Sequence, residues 1–150
     1  MTDTGSSQIS ATPTEGYAGD VSCVETYRVL QADPRARLVD VRTKAEWTFV
    51  GTADLEGPEP CAFVEWQGFP GGTPNPDFLD ELAAVAEPDA PVFFLCRSGA
   101  RSASAARLAT EAGYAQAFNV ADGFEGPLDG EGHRGRRAGW KAEGLPWRQG

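Results

Sequence analysis

An apolar run, a polar loop and the start of an alanine-rich segment follow one another in the stretch Pro91-Val92-Phe93-Phe94-Leu95-Cys96-Arg97-Ser98-Gly99-Ala100-Arg101-Ser102. It opens with a continuous apolar run, which is expected of a central parallel strand buried on both faces. A polar loop containing Gly99 follows, and residues 102–112 are rich in alanine and favour a helix, with Gly113 placed to end it. The stretch therefore predicts a buried strand that leads through a tight loop into a helix.

Strand and helix patterns alternate along the rest of the chain. Predicted strands lie at 38–42, 61–66 and 116–120, in addition to 91–95. One predicted helix follows Ser22 and has Val24, Tyr27 and Leu30 on one face. Another follows Asn75, and its apolar face consists of Phe78, Leu79, Leu82 and Val85. Two shorter helices are predicted, one around Trp47 and one over 138–143. This alternation predicts an α/β fold with a mainly parallel sheet.

Cys96 is the strongest candidate for a chemically active residue. It lies where a parallel strand ends and a helix begins, so unpaired N–H groups and the positive end of the helix dipole should face it. Gly99 allows the loop to curl into an anion-binding nest, and Arg97 and Arg101 add forked donors that suit oxyanions. These features favour a thiolate nucleophile over the alternative, a small buried hydrophobic residue.

Composition restricts the partners. The net charge of −9 argues against nucleic acid and anionic membranes, both of which need a basic surface. No stretch approaches the length of a membrane span, and residues 1–10 lack the pattern of a secretory signal, so a cytoplasmic location is expected. Three well-separated cysteines and one histidine do not make a structural metal site, and we expect neither metal nor cofactor.

Other polar residues near the predicted sheet edge have two interpretations each. Asp40 and Arg42 form either an ion pair that anchors the strand end, which we favour, or a pair that orients the Cys96 loop. Ser98 donates to a bound anion or caps the helix, and capping is favoured for Ser102. Arg97 to Ser102, including the backbone of Gly99 and Ala100, form the predicted anion-binding segment.

The remaining reactive or charged groups are expected to be structural. Cys23 and Cys61 are assigned to packing, although Cys61 could instead act as a resolving thiol. The basic cluster His133–Arg137 is a solvated loop or, alternatively, a rim that attracts anionic donors or an acidic carrier protein.

Three segments in order resemble the signatures of the rhodanese-like domain family. Residues 93–102 resemble its active-site loop, and Leu38–Arg42 followed by Glu46-Trp47 resembles its first signature. Gly123, Trp140 and Gly144-Leu145-Pro146 resemble its closing signature. The chain departs from the family at 51–57, which lacks a structural histidine, and at an insertion near 125–137.

The resemblance implies a central five-stranded, mainly parallel sheet with helices on both faces. It also implies sulfur transfer, in which Cys96 takes sulfur from an anionic donor such as thiosulfate and passes it as a persulfide to cyanide, a thiol or a protein cysteine. Alternatives are a sulfur-relay or interaction module and, more remotely, a thiol phosphatase or arsenate reductase. Thiol phosphatases use Cys-x5-Arg, whereas Cys96 and Arg101 are separated by four residues. We expect a flexible arm at 1–18, one domain at 19–150 and a monomer.

Overall fold

The computed structural model describes residues 9–54, 61–67, 74–126, 131 and 139–148. The strands are β1 Gly19–Val21, β2 Arg37–Asp40, β3 Thr52–Ala53, β4 Ala62–Phe63, β5 Val92–Leu95, β6 Ala117–Val120 and β7 Trp147–Arg148. The helices are α1 Cys23–Ala32, α2 Lys44–Phe49, α3 Phe78–Val85 and α4 Ala100–Glu111.

Five of the strands form one parallel sheet in the order β1-β6-β5-β2-β4. The central strand, β5, is buried along its whole length, as its apolar sequence predicts. Strands β3 and β7 form a separate antiparallel pair. The predicted five-stranded parallel sheet is therefore confirmed, whereas β1 and the β3–β7 pair were not predicted because each is only two or three residues long.

Side chains that alternate along the strands divide the core into two layers. Val39, Phe94 and Cys96 lie on the face that packs against α3 and α4. Leu38 and Leu95 lie on the opposite face, where α1 and Trp140 cover the sheet. Helices thus cover both faces, as predicted, and the alternation decides on which face each site residue lies.

The helix boundaries agree with the capping and helix-breaking residues that the sequence predicts, but two helices differ in detail. Ser22 caps α1, accepting from the Glu25 N–H at 3.0 Å, and the helix ends before Pro34. Its buried face is Cys23, Thr26 and Val29, so the predicted placement of Val24 on that face is wrong; Val24 is 52% exposed. The Thr26 hydroxyl can be buried because it donates to the Ser22 carbonyl at 2.8 Å.

The segment after Asn75 begins with a turn before it becomes α3. The Asn75 side chain accepts from the Asp77 N–H at 3.0 Å, and the helix starts at Phe78. Phe78 and Leu82 form its buried face, as predicted. Residues 140–144 form turns where a short helix was predicted, with Gly144 at φ +76°.

Part of the predicted N-terminal arm contacts the domain. Thr12 forms an antiparallel bridge with Asp20, and Tyr17 is buried against the core. Residues 1–8 lie outside the described part of the chain, and the division of the sequence at residue 19 stays a prediction. The contact at Tyr17 does show that ordered packing begins before β1.

Candidate active site

Cys96 follows β5 directly and is 1% exposed. Its Sγ accepts hydrogen bonds from the Gly99 N–H at 3.1 Å and the Ser102 N–H at 3.4 Å. The Ser102 hydroxyl lies 3.2 Å from the same sulfur. The first turn of α4 and the loop before it therefore surround the sulfur with polar groups, whose N–H dipoles stabilise negative charge there.

Gly99 shapes the loop and is the residue that immediately precedes α4. Its φ of +108° lies in the left-handed region, and a Cβ added there would collide with the Ala121 carbonyl oxygen. Four loop N–H groups have no acceptor among the described residues: those of Arg97, Ser98, Ala100 and Arg101. These groups are the candidate donors of the predicted anion-binding nest, which stays a prediction.

The turn that follows β6 forms backbone hydrogen bonds to the Cys96 loop. The Phe124 N–H donates to the Cys96 carbonyl at 2.8 Å, and the Glu125 and Gly126 N–H groups donate to the Arg97 carbonyl at 3.0 and 3.1 Å. Gly123, at φ +73°, makes this approach possible, because a Cβ there would overlap the Arg97 carbonyl. These hydrogen bonds fix the beginning of the loop, at Cys96 and Arg97.

Arg101 forms an ion pair with Glu46. The two guanidinium N–H groups donate to the two carboxylate oxygens at 2.7 and 2.9 Å. Burial alone would raise the pKa of Glu46, but the hydrogen bonds from Arg101 and the Thr43 N–H lower it to about 2, with further help from the charges of Arg101 and Arg42. The Glu46 hydrogen bond in turn raises the pKa of Arg101.

The other predicted loop ligands lie at the surface. Arg97, Ser98 and Ala100 are exposed, and no side-chain partner of Arg97 occurs among the described residues. Arg97 is thus an unpaired charge in the described part of the loop, whereas the charge of Arg101 is largely balanced by Glu46. The substrate-binding roles of the loop residues stay predictions.

Ser102 does not cap the helix, so that prediction is wrong. The helix begins at Ala100 after Gly99, and Ser102 lies fully buried in its first turn. Its hydroxyl donates to the Asn119 Oδ1 at 2.5 Å, and the Asn119 amide donates to Asp20 at 2.9 Å. Ser102 therefore contacts both the Cys96 sulfur and a polar network formed by Asn119 and Asp20.

Asp40 and Arg42 form a fully buried pair on the other face of the sheet. Arg42 donates to both Asp40 oxygens, the shortest distance being 2.7 Å, and to the Gly51 carbonyl at 2.7 Å. Its guanidinium also lies 4.4 Å from the Phe124 ring centroid. These contacts support the structural interpretation, in which the pair anchors the end of β2 and the Phe124 turn.

The other two thiols are poor nucleophiles. Burial raises the pKa of Cys23 to about 12, and its Sγ donates to the Gly123 carbonyl at 3.3 Å. Burial also raises the pKa of Cys61, which lies in the opposite core layer from Cys96 and before β4, toward the other end of the sheet. This placement supports packing over a resolving role for Cys61. The basic cluster His133–Arg137 lies outside the described residues.

Sequence reasoning missed the residues that surround Cys96 from distant parts of the chain. Glu46 was noted only within a signature, although Thr43-x-x-Glu46 has the spacing of a capping box, which is formed. Asn119 and Asp20 had no sequence signal, since each is a single polar residue in an apolar strand. Among the described residues, no three His, Cys, Asp or Glu side chains are grouped as metal ligands, and no helix is long and apolar enough to cross a membrane.

The fold and the loop define an α/β protein with a buried cysteine whose sulfur accepts from backbone N–H groups where β5 leads into α4. The family model of the rhodanese-like domain matches residues 24–127, and the chain belongs to that family. An uncharacterized protein, RC0915 of Rickettsia conorii, is 37% identical over 130 residues, which is 85% of this chain and 95% of that protein.

Solved structures agree with the family assignment. The crystal structure of Rv0390 from M. tuberculosis has 55% identity and a TM-score of 0.82, covering 89% of this chain and 99% of that one. The polysulfide-sulfur transferase homodimer of Wolinella succinogenes has 23% identity and a TM-score of 0.58, covering 87% and 78%; this likeness is one of fold.

Proposed function

We propose that the protein is a sulfurtransferase in which Cys96 carries the transferred sulfur. The observation that carries the proposal is the Cys96 sulfur itself, which two N–H groups contact at the start of α4. Such fixed dipoles stabilise the negative charge of a Cys96 thiolate, and in a Cys96 persulfide the charged outer sulfur would lie beside the same loop. The reaction requires no metal or cofactor, because the sulfur supplies the electron pair.

The first half-reaction breaks an S–S bond of the donor. The Cys96 thiolate attacks the outer sulfur of thiosulfate, a new S–S bond forms, and sulfite leaves with the electron pair of the broken bond. The four loop N–H groups that have no acceptor among the described residues, together with the charge of Arg97, would stabilise that anion. In the second half-reaction an acceptor thiolate or cyanide attacks the terminal sulfur and Cys96 leaves as the thiolate.

A relay module is the second candidate function. The Glu46 carboxylate balances Arg101, so the described loop offers less positive charge to a dianion than its two arginines suggest. This arrangement favours a donor whose sulfur-bearing end carries at most one charge, such as the persulfide of a small thiol or of a protein cysteine. The low exposure of Cys96 also favours a slender sulfur-bearing group over a bulky phosphate ester.

Turnover assays with three substrates separate the candidates. We expect thiosulfate and cyanide to give thiocyanate, whereas p-nitrophenyl phosphate is not hydrolysed. Cys96→Ala should abolish sulfur transfer, and Cys61→Ala, which removes a buried thiol in the other core layer, should retain it. Fast transfer from glutathione persulfide with negligible turnover of thiosulfate would support the relay, and hydrolysis of the phosphate ester without any sulfur transfer would overturn the proposal.

A further inference from the structure

A continuous chain of side-chain hydrogen bonds connects the nucleophile to the edge strand β1. From the Cys96 sulfur it passes to the Ser102 hydroxyl at 3.2 Å and on to the Asn119 Oδ1 at 2.5 Å. The Asn119 Nδ2 then donates to Asp20 Oδ1 at 2.9 Å, and the Tyr17 hydroxyl donates to the same oxygen at 2.7 Å. Cys96, Ser102 and Asn119 are each at most 4% exposed.

The fold itself brings these residues together. Asp20 and Asn119 are direct partners in the parallel β1–β6 register, so their side chains emerge side by side on one face of the sheet. Cys96 extends β5 on the same face, and α4 crosses that face with Ser102 in its first turn. The chain of hydrogen bonds is therefore a consequence of strand register and helix placement.

The direction of each hydrogen bond follows from the chemistry of the groups. The Asp20 carboxylate can only accept, so the Asn119 amide must direct its Nδ2 toward Asp20 and its Oδ1 toward Ser102. The single hydroxyl hydrogen of Ser102 is then donated to Asn119. Toward Cys96, the Ser102 oxygen is left with lone pairs, which accept from an S–H group and repel a negatively charged sulfur.

We propose that Asp20 and Asn119 are positioning residues that hold the Ser102 hydroxyl as an acceptor facing the Cys96 sulfur. In the resting protein this arrangement favours the S–H form and opposes the two N–H groups that favour the thiolate. The network thus restrains the reactivity of Cys96 through the orientation of one hydroxyl group. The inference rests on the proposed role of Cys96 as nucleophile, but its test does not use sulfur transfer.

The test is the rate of Cys96 alkylation by iodoacetamide as a function of pH, followed on the Cys96 peptide by mass spectrometry. In Asp20→Asn the Asn119 amide is no longer held in one orientation, because the new amide can donate to Asn119 Oδ1; the Asn119 amide can then turn over and release the Ser102 hydrogen toward the sulfur. Below the pH of half-maximal alkylation we expect a rate about tenfold above that of the unmodified protein, the effect of one hydrogen bond to a charged group. Asn119→Ala removes the acceptor and should act in the same direction.

Asp20→Asn also removes a negative charge, so both substitutions, Asp20→Asn and Asn119→Ala, are repeated in a Ser102→Ala background. A through-space charge effect persists without the hydroxyl, whereas the proposed effect requires it. Every variant leaves unchanged the other charged side chains of the surroundings: Arg97, Arg101, Glu46, Asp40 and Arg42.

Acceleration by Asp20→Asn that disappears in the Ser102→Ala background would support the proposal. Equal acceleration by Asn119→Ala in both backgrounds, or no acceleration by Asn119→Ala in either, would overturn it. Should Asp20→Asn fail to fold by thermal melting, Asn119→Ala provides the same comparison. A protein that shows the alkylation effect but forms no persulfide would leave this inference intact and refute only the proposed function.

Discussion

Glu46→Gln removes one charge from the ion pair beside the Cys96 loop while keeping an oxygen that can accept from Arg101 and from the Thr43 N–H. The pKa of Glu46 lies at about 2 in the folded protein, against an ordinary value of 4.5. A lowering of this size corresponds to about 3 kcal/mol at neutral pH. Because the side chains of Glu46 and Arg101 remain 20% and 25% exposed, we expect a loss of about 1–2 kcal/mol on substitution.

The pH dependence of the free energy of unfolding distinguishes Glu46→Gln from the unmodified protein more clearly than its value at neutral pH. A carboxyl with a lowered pKa stabilises the folded state fully above its unfolded value, and this contribution is lost as the pH falls through the folded value. The unmodified protein should therefore lose this part of its stability between about pH 4.5 and pH 2, and Glu46→Gln should not. Urea denaturation at several pH values across this range measures the difference in the free energy of unfolding.

The matched control is Glu87→Gln, which breaks a pair with Arg35 at the surface. The Glu87 side chain is 66% exposed, so its substitution should leave the free energy of unfolding unchanged within error. If Glu46→Gln were as stable as the unmodified protein at neutral pH and kept the same acid dependence, the ion pair would have no role in holding the loop.

Three further substitutions test residues that build the Cys96 loop and its surroundings. Gly99→Ala should lower the free energy of unfolding by several kcal/mol more than Gly113→Ala. Both glycines have φ near +108°, but an added Cβ would meet backbone atoms only at position 99, and urea denaturation compares the two variants. Arg42→Met leaves Asp40 buried and unpaired and should cost about 3–5 kcal/mol, part of which Asp40→Asn in the same chain restores; equal stability of the single and double variants would contradict this account. Arg97→Ala should raise the KM for thiosulfate several-fold and weaken its dependence on salt, without changing the melting temperature; an unchanged KM at low salt would remove Arg97 from the site.

Much of the fold could be predicted from local sequence because its signals are local. The apolar run of β5, the alanine-rich α4 and the cap at Ser22 each depend on residues within one element. The short strands β1 and β7 could not be predicted in this way, since two or three residues carry no periodicity. Their pairing is decided by partners about 100 residues distant in the chain.

The candidate site likewise combines local features, which the sequence predicts, with contacts between distant residues, which it does not. Cys96, Gly99 and the N–H groups that have no acceptor in the described part of the chain all belong to one contiguous loop, which the sequence displays in full. Pairing of Arg101 with Glu46 joins residues 55 apart, and Ser102 meets Asn119 only because α4 crosses β6. Sequence therefore overstated the charge offered to a substrate and misassigned Ser102 as a cap.

The measurement that tests the central proposal most directly is the mass of the Cys96 peptide after the reduced protein is incubated with thiosulfate. We predict a gain of one sulfur atom on Cys96, with one sulfite released per adduct, and reversal by cyanide as thiocyanate forms. Cys96→Ala should show no gain, and the peptides of Cys23 and Cys61 should stay unmodified because both thiols are buried with raised pKa values. An unmodified Cys96 peptide after incubation with thiosulfate and with glutathione persulfide would contradict the account.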